Sequence, residues 1–119
     1  MAAAFDISVI AQLTGLGKQL EFADKFSTAT PTLATYNYDS IGTDAEALDI
    51  SDISTVECVV IKNTDTTNYV ELDCNYSSSF SADIQLDAGK SAVFKPSGVV
   101  QAKANSAAVI VEYIVIGTS

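Results

Sequence analysis

Apolar and polar residues alternate one by one along most of this chain, and that period of two limits the fold more than any other feature. In the first such stretch Ile7, Val9, Ala11 and Leu13 share one face, while Asp6, Ser8 and Gln12 share the other. A helix would repeat its apolar positions three and four apart, so the pattern predicts a strand. Leu20 and Phe22 alternate in the same way with Gln19 and Glu21, Tyr36 and Tyr38 with Asn37 and Asp39, and Ile84 and Leu86 with Asp83, Gln85 and Asp87. Further strand-like stretches cover 91–95, 99–103 and 109–116. Asp87-Ala88-Gly89-Lys90 supplies a turn, because Gly89 reaches positive φ at little cost. Pro96-Ser97-Gly98 breaks the chain between two of the stretches. About eight to ten short strands at regular spacing predict an all-β sandwich or barrel.

Composition supports a packed domain and narrows its partners. The 119 residues fit one domain spanning 1–119, and 48% hydrophobic against 18% charged residues is too apolar for a disordered chain. Fifteen acids oppose six bases, for a formal charge of −9. Every base is a lysine, and Arg, His and Trp are absent. Binding to phosphate backbones or to an anionic membrane surface needs clustered cations, so neither nucleic acid nor membrane is expected as a partner. The missing His removes the usual side chain for proton transfer and metal ligation near neutral pH, which argues against an ordinary metabolic enzyme. Met1-Ala2-Ala3-Ala4-Phe5 lacks the basic region of a signal peptide, and Asp6 interrupts the apolar run, so the chain reads as soluble and mature. The most apolar run, 107–116, is broken by Glu112 and is about half a membrane span, so it reads as a buried strand.

Two segments leave their local structure open. Residues 1–55 carry eight acids and two lysines, and the acids concentrate in a connection over 42–55. There Asp44 to Leu48 fit either one helical turn capped by Thr43 or a short edge strand, in a connection crossing between sheets. From Val56 to Tyr76 the pattern predicts a hairpin, with Val59, Val60 and Ile61 facing Tyr69, Val70 and Leu72 across the polar loop Asn63-Thr64-Asp65-Thr66-Thr67-Asn68. Pairing centred on Thr66 sets Cys58 opposite Cys74, near disulfide range. The alternative, which we favour, is two reduced, buried cysteines acting as small hydrophobes.

No motif in the chain carries a reaction. Gly15-Leu16-Gly17-Lys18 lacks the first glycine of a phosphate loop, where Gln12 stands, and the Ser or Thr after the lysine, where Gln19 stands; a two-glycine turn is expected. Asp44, Glu46, Asp49 and Asp52 are dense enough to suggest calcium, but the glycine and terminal Glu of a calcium loop are not at the required offsets, so a solvated acidic loop is expected. Without His, no base is nominated for a Ser, Thr or Cys nucleophile. The chain lacks the Trp that sugar hydrolases commonly use to grip substrate, and Asn75-Tyr76-Ser77 matches a glycosylation acceptor only as a chance triplet would. We therefore expect no catalytic residue, no metal and no cofactor.

The strand Val109-Ile110-Val111-Glu112-Tyr113-Ile114-Val115-Ile116 is apolar on both faces, so its outer face is covered either by the chain's own loops or by another subunit. In this half of the chain, Ile61-Lys62-Asn63-Thr64-Asp65 is followed by Asn68-Tyr69-Val70-Glu71 and then by Leu86-Asp87-Ala88-Gly89-Lys90-Ser91-Ala92-Val93-Phe94. These strings, with the ending Ala102-Lys103-Ala104-Asn105 to Val109 and Glu112-Tyr113, resemble small virion proteins of tailed bacteriophages. The resemblance covers about 53–116, a little over half the chain. It implies an antiparallel β-sandwich of jelly-roll type without enzyme activity, located in the virion and assembled in the host cytoplasm. The role it implies is a capsid decoration or cement protein that binds major capsid protein at subunit joints as a homotrimer, or else a tail or fibre-base component. The partner-facing surface is expected at the N-terminal arm 1–5 (Ala2, Ala3, Ala4 and Phe5 after the initiator) and in the loop formed by Asn63, Thr64, Asp65, Thr66, Thr67 and Asn68. A separate reading, a carbohydrate-binding module, rests on Tyr36 and Tyr38, two apart on one strand face and spaced to stack sugar rings, against tyrosines that simply belong to the core or its margin.

Overall fold

The structure, a computed structural model, describes residues 4–15, 17, 19–28 and 31–119. Among the described residues ten strands form and no helix. In chain order they are β1 (Phe5–Leu13), β2 (Leu20–Thr28), β3 (Leu33–Ile41), β4 (Glu46–Ala47), β5 (Thr55–Asn63), β6 (Val70–Tyr76), β7 (Ile84–Leu86), β8 (Ser91–Phe94), β9 (Val99–Ala104) and β10 (Val109–Thr118). The chain divides into two compact units, Met1–Pro31 and Thr32–Ser119. The sandwich expected over 1–119 is therefore built within the second unit alone.

The first unit is the antiparallel hairpin β1-β2, with nine residues in each strand and register from Phe5 opposite Thr28 to Leu13 opposite Leu20. Gly15 and Gly17 take φ of +92° and +81° in its turn, a conformation that favours glycine. Leu16 and Lys18 of the rejected phosphate-loop string lie outside the described residues, as do Ala2 and Ala3 of the expected arm. Ala4 is exposed, and Phe5 is already paired in β1.

The second unit is a sandwich of two four-stranded antiparallel sheets, ordered β3-β10-β5-β8 and β4-β9-β6-β7. Its ladders are nested: β3 pairs β10, β4 pairs β9, β5 pairs β8 and β6 pairs β7. The β10-β5 and β9-β6 ladders then close each sheet. This nesting is that of a ribbon doubled back on itself and wound, and is compatible with the jelly-roll expectation. Alternate residues of each strand fill the space between the sheets. Val59 and Ile61 of β5 and Val111, Tyr113 and Val115 of β10 meet Val70 and Leu72 of β6 and Ala102 and Ala104 of β9. Gly117 is required where β10 bulges, because a Cβ there would run into the Thr55 carbonyl and come within 2.6 Å of the Ile53 side chain.

The segment 56–76 is not a hairpin. β5 pairs with β10 and β8, whereas β6 pairs with β9 and β7, so the chain crosses from one sheet to the other between them. Cys58 and Cys74 thus sit in different sheets with no ladder between their strands, and both are free thiols. Cys58 is buried and Cys74 half-buried. The acidic connection resolves as a short edge strand: β4 pairs with β9 through Glu46–Ala102 and Ala47–Gln101, and the chain then returns to the other sheet as β5. Asp44, Glu46, Asp49 and Asp52 are all exposed there.

Candidate interaction surfaces

The arch between β5 and β6 is built around Asn63. Period two carries Val59 and Ile61 inward, and Asn63 follows them into full burial. Its amide donates to the carbonyls of Asn68 (2.9 Å) and Leu86 (3.0 Å), and its side-chain oxygen accepts from the Asp65 N–H (2.9 Å). Its own backbone carbonyl accepts from Gly89 N–H at 3.0 Å. Such satisfaction is what a buried amide requires. The Asp65 carboxylate accepts from the N–H groups of Asn68 (2.6 Å) and Thr67 (3.0 Å), which hold it below the usual carboxylate range. Of the loop expected to face a partner, Asn63 is therefore structural, Thr64, Thr66 and Thr67 are exposed, and Asp65 and Asn68 are half-buried.

Two other surfaces expose large apolar side chains. Directly opposed residues of an antiparallel pair share a face. In the hairpin one face thus carries Phe5, Ile7 with Phe26, Val9 with Asp24, Ala11 with Phe22, and Leu13 with Leu20. The other carries Asp6 with Ser27, Ser8 with Lys25, Ile10 with Ala23 and Gln12 with Glu21. On the apolar face Phe22 is 59% and Phe26 45% exposed, and Leu13 and Leu20 are open as well. Asp24 is its only charge among the described residues.

In the sandwich, the outer face of the β3-β10-β5-β8 sheet carries Tyr38, Glu112, Lys62 and Ser91 in one cross-strand row and Tyr36, Ile114, Val60 and Val93 in the next. Tyr36 and Tyr38 are 58% and 61% exposed, and Ile110 is open beyond them. The two rings meet edge to face, 5.8 Å between centroids and 69° between planes. The Tyr36 hydroxyl donates to the Glu112 carboxylate, which with the neighbouring Tyr38 raises the phenol above its ordinary range. A shallow depression of about 220 Å³ lies beside them, floored by Val60 and Ile114.

The reading of these tyrosines as members of the core or its margin is corrected. Leu33 and Ile41 at the ends of β3 pack on the core, so Asn37 and Asp39, of the same parity, turn inward and the tyrosines outward. The inward polar groups find partners under the sheet. Tyr113, 1% exposed, donates its hydroxyl to the Asp39 carboxylate and accepts from the Asp49 N–H at 2.8 Å. Burial and that carboxylate push the Tyr113 phenol upward. Glu112, Ile110 and Val93 join this face unannounced; the apolar outer side of β10 was the only signal for it. Among the described residues, no group of three or more His, Cys, Asp or Glu side chains is placed to hold a metal ion. Fold and surfaces together define a β-sandwich that presents an aromatic sheet face, in a chain that also carries an amphipathic hairpin. Comparison with protein-family models, curated proteins and solved structures finds no match.

Proposed function

We propose that this chain is a non-enzymatic structural protein of a bacteriophage virion, a capsid decoration or cement protein seated at joints between major capsid proteins. The observation that carries the reading is the β1-β2 hairpin. Two strands alone are marginally stable in water, and this pair leaves Phe22, Phe26, Leu13 and Leu20 open on its apolar face, although Ile7 on the same face is buried. Such a ribbon gains order when a partner covers it, and exposed apolar faces of this kind mark association sites. The nested ladders support a jelly-roll sandwich, a fold that serves as a building block in shells. Repeated copies, arranged as homotrimers, gain strength by multivalency, and the net charge of −9 favours docking on a basic rim. Purified particles examined by electron microscopy and quantitative mass spectrometry test the proposal. Hundreds of copies on the shell are expected; about a dozen would move the protein to the tail, and absence from particles would end the reading.

A second reading, carbohydrate binding, is favoured by one observation: both Tyr36 and Tyr38 present their rings to solvent on a sheet face, beside the Glu112 carboxylate. Binding on a glycan array that disappears in Tyr36→Ala would support it, and an array without signal would remove it.

A further inference from the structure

The sandwich is open at one end between its sheets. β4 contributes only two residues and pairs with β9 at Gln101 and Ala102; the Leu48 N–H still reaches the Val100 carbonyl at 3.1 Å, and past it Val99 has no neighbouring strand on that side. Behind this gap lies a cavity of about 140 Å³. Leu48, Val59, Val100 and Val115 form its floor and are 5%, 1%, 6% and 0% exposed. Ile50 and Val99 stand at its mouth, with Val99 55% exposed. Beyond them a polar rim continues as a groove past Ser54, Thr55, Lys95 and Ser97.

We propose that this cavity is a binding site for a neutral apolar molecule about the size of one aromatic ring. Protein interiors keep few voids larger than a water, and this one has room for about four or five. Its lining is apolar, so waters inside would lack the two to four polar partners that each needs. Its volume is close to that of a dry, apolar cavity of about 150 Å³ that takes up benzene. The side chains here are short: five lining positions are valine (Val56, Val59, Val99, Val100, Val115), and Gly98 at the mouth has no side chain. Larger residues, among them Ile61, Leu72 and Tyr113, fill the core elsewhere. Charge selects against ions. Lys95, the cation of the rim, is paired with Glu57 at 3.3 Å, and no carboxylate lines the cavity to receive a cation. The inference rests on the sandwich and is independent of the virion reading.

Benzene titrated into the full chain tests it by methyl NMR. Saturable shifts are expected at Val59, Val100 and Val115 but not at Val70, which is buried elsewhere in the core. Benzoate and benzylammonium should bind at least tenfold more weakly. Val100→Phe, which fills the space, should abolish the shifts while leaving the remaining methyl spectrum folded; if it fails to fold, Val100→Ile should weaken binding. No saturable shift in the unaltered protein, shifts at Val70 equal to those at Val100, or benzoate binding as tightly as benzene would each overturn the proposal.

Discussion

Replacing Asn63 separates hydrogen bonding from packing in the arch between the two sheets. Asn63→Leu keeps a side chain of similar size but removes three hydrogen bonds. The Leu86 carbonyl is buried and cannot turn to water, which costs about 1–3 kcal/mol. The Asn68 carbonyl and Asp65 N–H are part-buried and regain water, so each loses only about 0.5–1.5 kcal/mol. Burial of the leucine returns about 1 kcal/mol of the total. The net loss is about 3 kcal/mol, or about 10 °C in Tm for a domain of this size. Asn63→Asp is the sharper test. It preserves shape and the acceptor for Asp65 N–H, but it places a carboxylate oxygen against two carbonyl oxygens in a buried site. Its cost should exceed that of Asn63→Leu and shrink at low pH, where protonation restores one donor. Urea unfolding followed by circular dichroism, with the slope checked for constancy, measures both variants. An Asn63→Asp protein as stable as the parent, or more stable than Asn63→Leu, would refute the assignment of the arch to this amide.

Three further outcomes follow from named contacts. Gly117→Ala should lose about 1–3 kcal/mol by overpacking against Thr55 and Ile53, while Gly42→Ala, whose Cβ would meet nothing within 4 Å, should leave stability nearly unchanged in the same unfolding assay. Burial raises the Cys58 thiol, and burial with the charges of Asp83 and Asp73 raises Cys74, so both should react slowly with Ellman's reagent when folded. Unfolding without reductant should release both thiols, and finding none would show a bridge. The Asp65 carboxyl titrates below its unfolded value, so its contribution is present above about pH 4 and lost as pH falls through the folded pKa. Asp65→Asn should flatten the acid limb of the stability curve, and an unchanged limb would deny the carboxylate that role.

The strands were legible because alternation is written into neighbouring residues. β7, β8 and β9 fall where Ile84–Leu86, 91–95 and 99–103 announced them, and the Asp87–Lys90 turn forms with Gly89 at φ +76°. The arch was misread because an arch and a hairpin share the same local ingredients, two apolar strands around a polar loop. What distinguishes them is distant: β10 and β8 occupy both edges of β5, leaving none for β6. One local clue existed. Asn63 has the parity of Val59 and Ile61, so the alternation that buries them buries an amide too. A polar residue at an inward position pins structure before it offers surface.

The same parity argument explains why Tyr36 and Tyr38 face water. Taken alone, alternation with Asn37 and Asp39 would turn the tyrosines inward, because aromatic residues usually occupy the buried side. A strand has one register, however, and a slip of one residue exchanges its faces. Leu33 and Ile41 hold the two ends of β3 on the core with odd parity, and Tyr113 and the Asp49 backbone receive the polar side chains between them. Turning the tyrosines inward would expel Ile41, now 1% exposed, and would leave the Tyr113 hydroxyl without Asp39 in a buried site. The fold thus keeps two aromatic rings wet where local patterning would bury them. Departures of this kind concentrate where a surface is used, which makes this face, with Glu112 at its centre, the part of the sandwich to probe first.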